Sequence, residues 1–351
     1  MSTSLEKTMD EVVQDVRSLY DSGAPLFTKE ELRRLSDHID KHAKGELESN
    51  EVLIKGINGA TVKVPIRRAI TLPNGNGGYR KPKNVVIQYR PIEALTDDAT
   101  PSSSWSPQTA YLSMVPGYDY VDIGGTSSAT NTTRTFCAAG LGKLLGDAKK
   151  AWEATPHHHA LRTYVEAYAA FAEVRKIVGL ALGPLVDATE LSDDGDGPRR
   201  GPSLTQYALL LSLRELIADN SGVDGISCYA QDPALSPAAT KALEDAGIRV
   251  LKDPHGFLEI DDQTIVVSIS PDVPVKQIVT DIARPVALVW LPDTDKEHVK
   301  KGSRSTDPSS KRVKDMLETE YVDLGFPHSD PLWGADVHLR RRKREGLELW
   351  G

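Results

Sequence analysis

The chain has 351 residues, a formal net charge of −8, and 39% hydrophobic against 26% charged residues. That is a globular composition rather than a disordered one. No apolar run approaches the ~20 residues that span a bilayer, so no membrane partner is expected. A general DNA binder carries a basic balance, so an acidic chain disfavours broad nucleic-acid affinity, and no DNA partner is expected.

The opening residues, MSTSLEKTMDEVVQDV, contain no apolar core and no cleavage site, so they do not read as a secretory signal. Two cysteines, Cys137 and Cys228, stand far apart in the chain and are expected as free thiols of a cytoplasmic protein. The triplet Asn131-Thr132-Thr133 matches a glycosylation acceptor, but without secretion it carries no weight.

Met9, Val12, Val13, Val16, Leu19 and Tyr20 fall at helical spacing, and Gly23 follows as a stop. Thr28 with Glu31 three residues on forms a capping-box pattern that opens a second helix, through Leu32, Leu35 and Ile39. The period then changes to two. Val52-Leu53-Ile54 and Val62, Val64, Ile66 flank Asn58-Gly59, a pair suited to the positive φ angles of a hairpin turn. Val85-Val86-Ile87 reads as a short strand. Residues 96–135 are rich in Ser, Thr, Pro, Gly and Asp, a composition usual in disordered linkers, but the embedded Trp105, Tyr111, Tyr118 and Tyr120 argue for a loop at least partly ordered, of the kind that serves as a lid or binding loop.

Helical spacing returns near 136–154, and Thr155-Pro156 opens another helix. His157, His158 and His159 lie in its first turn. Adjacent helical residues point in different directions, so the three cannot converge on one metal and are expected as a surface cluster. From residue 176 on, apolar runs alternate with helices. Strands are expected at 177–182, 225–229, 248–251, 256–260, 264–269 and 286–291, with helices from Ser203, after Ser236-Pro237 and near 274–282. Near-continuous apolar strands alternating with helices predict an α/β fold: a doubly wound, mostly parallel Rossmann-like sheet with an N-terminal α+β extension. The expected domains are 1–135, 136–292, and a charged C-terminal segment 293–351. That segment ends in the run Arg340, Arg341, Arg342, Lys343 and Arg344, which reads either as a solvated tail or as a patch for RNA phosphates.

Right-handed crossovers bring the C-terminal end of every parallel strand to one edge, where ligands bind. Gly183 follows the first strand and would let a ligand approach the backbone. Ser203 and Gln206 open the next helix, where free N–H groups favour anions or where the two simply cap. Tyr229 ends the second strand, and Asp232 follows before Pro233, as a ligand contact or an Asx turn. Ser270 and Asp272 follow the strand at 264–269. Ser270 is a nucleophile or an N-cap, and Asp272 pairs with a cation or with the next helix's N-terminus. The two carboxylates at one edge suit a guanidinium or amine. The candidate set is Ser270, Ser203 and Tyr229 for catalysis, with Gly183, Gln206, Asp232 and Asp272 for substrate. No Ser-His-Asp order, H-E-x-x-H motif or P-loop occurs in the chain.

Several pieces of 176–292 resemble the SRR-like (sensitivity to red light reduced) domain. They are Ile177-Val178-Gly179-Leu180-Ala181-Leu182-Gly183, Gln206-Tyr207-Ala208-Leu209-Leu210-Leu211, Asp232-Pro233, Leu243-Glu244-Asp245-Ala246-Gly247-Ile248 and Pro271. The family commonly has Pro-His-Cys at its late proline. Here Pro271-Asp272-Val273 stands instead, so a metal or haem role is not carried over, and no cofactor is expected. The stretch Pro25-Leu26-Phe27-Thr28-Lys29-Glu30-Glu31-Leu32, a hairpin and then this domain form a layout that is similar to a fungal subgroup. Some of its members are associated with arginine-containing cyclodipeptide synthases.

That resemblance implies a transferase that joins two aminoacyl groups, with arginyl-tRNA and a second charged tRNA as partners. The ester is already activated, so the chemistry needs a hydroxyl or base, a carboxylate pocket and a small basic surface rather than a metal or ATP. A non-catalytic SRR-like regulatory or scaffold protein is the alternative the same resemblance allows. A small-molecule enzyme of another class using the same edge is a third.

Overall fold

The computed structural model describes residues 7–47, 50–66, 70–74, 77–97, 106–123, 136–185, 202–222, 225–292, 305–327, 332 and 334–342. Two compact units divide the chain, Met1–Thr132 and Thr133–Gly351. The Asn131 triplet, Trp105, Lys343 and Arg344 lie outside the described residues.

In the first unit, α1 (Met9–Asp21) begins at Thr8, whose side chain and Glu11 cap each other's backbone N–H groups. Helix α2 (Lys29–Ala43) begins at Thr28, whose hydroxyl accepts from the Glu31 N–H. The Glu31 carboxylate turns away from the cap and accepts instead from the Lys55 N–H at 3.2 Å. A hairpin joins β1 (Glu51–Lys55) and β2 (Thr61–Pro65), with Gly59 at φ +77° in the turn. A separate antiparallel sheet holds β3 (Leu72–Pro73), β4 (Tyr79–Tyr89) and β5 (Met114–Ile123), in that order, and α3 (Ile92–Leu95) follows β4. The stretch expected as a lid loop therefore contributes a ten-residue strand. Its Tyr118 and Tyr120, two apart, are strand neighbours on one face.

The second unit opens with α4 (Ala138–Glu153) and α5 (Pro156–Ala167), the latter capped by Thr155, which accepts from the His158 N–H. His157 and His158 are buried, contrary to the expected surface cluster, and only His159 is exposed. The His157 ring lies against Trp152 and Phe326, with centroids 5.9 and 4.9 Å away, so two of the three are core aromatics.

Then β6 (Lys176–Leu180), α6 (Pro202–Ser221), β7 (Ser227–Gln231), α7 (Pro237–Asp245), β8 (Arg249–Val250), α8 (His255–Glu259), β9 (Thr264–Ser268), α9 (Val275–Ile282) and β10 (Ala287–Trp290) alternate. Where a strand was expected at 256–260, His255–Glu259 form a short helix with Gly256 and Phe257 buried, and the buried Ile260 follows it in extended backbone. Finally α10 (Lys311–Glu320) leads into β11 (Tyr321–Asp323), and β12 (Asp336–Arg340) closes the unit.

The seven strands lie in the order β11-β12-β10-β9-β6-β7-β8. All pairings are parallel except those of β12 with β10 and β11, so β12 alone opposes the rest. This is an α/β unit with a mostly parallel sheet. The segment after residue 292, expected as a charged extension, supplies two of its strands and covers one side of β10. Helix α6 is apolar nearly all round: Leu204, Tyr207, Ala208, Leu209, Leu210, Leu211 and Leu213 are buried. It packs between α4 and strands β6 and β7, and a helix covered on all sides needs no polar face. No helix among the described residues is long and apolar enough to cross a membrane.

Candidate functional site

The strand order reverses at β6. From β6 the chain winds outward through β7 to β8, then returns to β9 on the other side and continues to β10. In open α/β sheets such a switch point, at the carboxyl ends of the strands, opens the crevice where ligands bind. The residues leaving the two central strands have unusual backbones. Ala181, just after β6, has φ 51°, and Ser270, two residues after β9, has φ 57°. Left-handed φ costs a non-glycine residue about 1–2 kcal/mol. Both are held by their surroundings: the Ala181 N–H donates to the Gln231 carbonyl at 2.9 Å, and below Ser270 the buried Ser268 hydroxyl donates to the Leu180 carbonyl at 3.0 Å.

Gly183 comes next after β6, at φ +82°. Its N–H donates to Asp232 Oδ2 at 2.6 Å, and its carbonyl accepts from the Tyr207 hydroxyl at 2.8 Å. A Cβ here would lie 2.5 Å from Ser203 Oγ, so only glycine fits beside the first turn of α6. Asp232 also accepts from the Ala234 N–H, through Oδ1 at 2.8 Å. Its carboxylate thus clamps the loop after β6 to the turn after β7. Burial pushes its pKa up; the N–H groups of Ala234 and Gly183 pull down, and the charge of Asp272 pushes up again. Asp272 itself is exposed. Burial raises the Tyr207 phenol well above its ordinary range, so it serves as a neutral donor.

Four sequence expectations change in detail. Ser203 and Gln206 do not form a capping box, because α6 already begins at Pro202 and both lie inside it. Gln206 is buried, and its Oε1 meets no hydrogen-bond donor among the described residues. Ser270 does not cap α9, whose N-cap is Pro274. Tyr229 pairs with Val178 and Arg249 inside β7, two residues short of the strand's end. That sets it back from the edge that carries Asp232.

Sequence reasoning missed Gln231. Its amide donates to Asp253 Oδ1 at 2.8 Å and accepts from the Gly256 N–H at 2.6 Å, fixing α8 beside the end of β7. The signal available was a glutamine ending an apolar strand.

Of the basic run, Arg340 lies in β12 with its guanidinium donating to the Arg284 carbonyl and 3.8 Å from both Glu173 and Asp262. Arg342 pairs with Glu173 at 2.5 Å. Two of the five cations are thus tied to the domain's own acids, and a free basic tail is not what they form. No cluster of His, Cys, Asp and Glu suited to a metal occurs among the described residues.

Residues 158–325 match the family model of the SRR1 domain. This supports the SRR-like family. No curated protein matches the chain. Among solved structures, the chain is similar to an O-methyltransferase family protein from Burkholderia thailandensis, with 10% identity and a TM-score of 0.30 over 62% of this chain and 66% of that one. The compact unit reaches beyond the SRR1 match on both sides, adding α4 before it and β12 after it.

Proposed function

We propose that the SRR1-like domain is the catalytic part of an aminoacyl-tRNA-dependent transferase that makes an arginine-containing cyclodipeptide in the cytoplasm. What supports this reading is the placement of two acids just past the ends of the strands that flank β6 at the switch point: Asp232 after β7, held by the Gly183 and Ala234 N–H groups, and the exposed Asp272 after β9. Two carboxylates that repel each other gain from a cation placed between them, and a guanidinium matches that need with a planar fork of donors. Asp232 spends one lone pair of each oxygen on backbone N–H groups and keeps the others for a ligand.

In this reading the left-handed Ser270 presents a hydroxyl beside Asp272, and Ser203 presents another beside Gly183. One of them takes the first aminoacyl group and releases the tRNA hydroxyl. The second aminoacyl group's amine then displaces the serine, and ring closure releases the second tRNA hydroxyl. Two ester bonds are exchanged for two amides, so no nucleotide triphosphate is consumed. Incubating the purified chain with arginyl-tRNA and a mixture of other charged tRNAs, with mass spectrometry for diketopiperazines, tests the proposal. An arginine-containing ring is the expected product.

A regulatory or scaffold role is the second reading. It is favoured by the clamp itself, since Asp232 already holds Gly183 and Ala234. Under that reading the edge is a rigid docking platform and charged tRNAs give no product.

A further inference from the structure

The first unit carries a charge pattern unlike the rest of this acidic chain. Between Val52 and Ile92 there are eight lysines and arginines and not one aspartate or glutamate. Three of the eight, Arg80, Lys81 and Lys83, sit on β4 and are exposed. Neither the Lys81 nor the Lys83 side chain takes part in an ion pair or hydrogen bond among the described residues. This contrasts with Arg340 and Arg342, which are paired with the second unit's own acids.

The same end of the sheet exposes apolar side chains. The register sets Tyr79 opposite Ile123 and Lys81 opposite Val121, so these four share one face. Tyr79 is 60% exposed, Ile123 51% and Val121 45%. On the other face Arg80 stands in register between Leu72 and Asp122, and Tyr120 is opposite Pro82, with its ring 6.4 Å from that of Tyr118. A strand end that is exposed on both faces, with a tyrosine uncovered on one, is built for a partner rather than for a core. Asp119 and Asp122 on β5 are the acids of this end, and they leave the cations in excess.

We infer that the β4–β5 ribbon is an RNA-binding surface, on which unpaired bases stack on Tyr79 while Lys81 and Lys83 hold the backbone phosphates. Cations tracking a phosphate chain, interleaved with an aromatic that offers a π-face to any base, are the two ingredients of single-strand binding. A lipid surface would use the same charges and could seat Tyr79 at the headgroup level, so vesicle binding is the competing outcome that the test must separate. The identity of the RNA as tRNA rests on the transferase reading; the affinity of the ribbon for RNA does not.

The test is fluorescence anisotropy of the full chain with labelled uncharged tRNA and with a uridine oligonucleotide, over a series of salt concentrations. Tyr79→Ala is expected to weaken binding to both by roughly 5- to 150-fold, the usual loss for one stacked base. Lys81→Gln with Lys83→Gln is expected to flatten the log–log salt slope by about 1.4, or about 0.7 for each lost contact. Circular dichroism of each variant should match the parent. Unchanged affinity and slope in folded variants overturn the assignment. Binding of the parent to phosphatidylserine vesicles but not to RNA overturns it as well. If the variants lose RNA as described while the parent makes no cyclodipeptide, the ribbon stands and the transferase reading falls. If the parent makes product and the variants bind tRNA unchanged, the reverse holds.

Discussion

Asp232→Asn separates the carboxylate's structural work from any recognition it performs. Asp232 accepts two backbone N–H groups, from Gly183 at 2.6 Å and Ala234 at 2.8 Å. Asparagine has one carbonyl oxygen and an amide that only donates, so one of the two N–H groups is left facing a donor. An unmet donor in a half-buried site costs about 1–3 kcal/mol. Against this, the substitution removes a charge that the fold opposes. The folded pKa lies above the ordinary 3.8 because burial, and then the charge of Asp272, disfavour ionisation. A raised folded pKa means that the associated stability is present at pH below the unfolded value and is lost as pH rises through the folded one. At neutral pH the parent therefore carries a cost that the variant is spared. The net loss at pH 7 is expected at about 1–2 kcal/mol, or roughly 2–8 °C in melting temperature for a unit of this size. As pH falls toward 4 the parent regains stability and the asparagine variant does not, so the gap widens. Thermal melts followed by circular dichroism at both pH values measure it. A variant that melts with the parent at both refutes the clamp.

Gly183→Ala is expected to cost about 1–3 kcal/mol, because it forces a side chain into left-handed φ and against Ser203 Oγ; melting at parent temperature would contradict the close approach. Arg340→Ala should cost about 0.5–1.5 kcal/mol through its carbonyl bond and ion pairs, whereas the exposed Arg341→Ala should stay within about 0.5 kcal/mol. The opposite order in chemical denaturation would return the run to a tail. Burial pushes the Cys228 thiol up to about 12, while Cys137 is exposed. Iodoacetamide at pH 8 should then label Cys137 alone in the folded chain and both after denaturation; fast labelling of Cys228 in the folded chain would contradict its burial.

The alternation of strands and helices was legible because β6, β7, β9 and β10 each have an apolar centre of three or more residues, and a sheet covered on both faces leaves that signature. Helix α8 was not: Gly256-Phe257-Leu258 reads as a short apolar run, and the single helical turn that buries Gly256 and Phe257 leaves no periodicity to read. Strands β11 and β12 were missed because both are short and charged. An edge strand such as β11 needs only one buried anchor, here Tyr321, whose hydroxyl bonds the Pro285 carbonyl at 2.8 Å. The charge of Arg340 pointed to a tail because sequence gives no hint that Glu173 and Asp262, far away in the chain, come to meet it. His157 and His158 misled in a similar way, since adjacent helical positions were judged without the helices that cover both. Asp232 was recognised as an acid at the strand edge, but its grip on Gly183 is a long-range contact that no local pattern encodes. The basic stretch on β4 left its mark in an absence of acids, a signal that single motifs do not carry.

Asp272 is exposed and its side chain makes no hydrogen bond among the described residues, so its change to asparagine leaves the fold untouched. The deciding measurement is the yield of arginine-containing diketopiperazine from charged tRNAs, by mass spectrometry, for the parent and for Asp272→Asn. Losing one charge-assisted bond of about 1.5–3 kcal/mol should lower arginine use by roughly 10- to 150-fold. Product from the folded variant at the parent's level would contradict the carboxylate pair as the arginine site, and no such product from the parent would contradict the transferase itself.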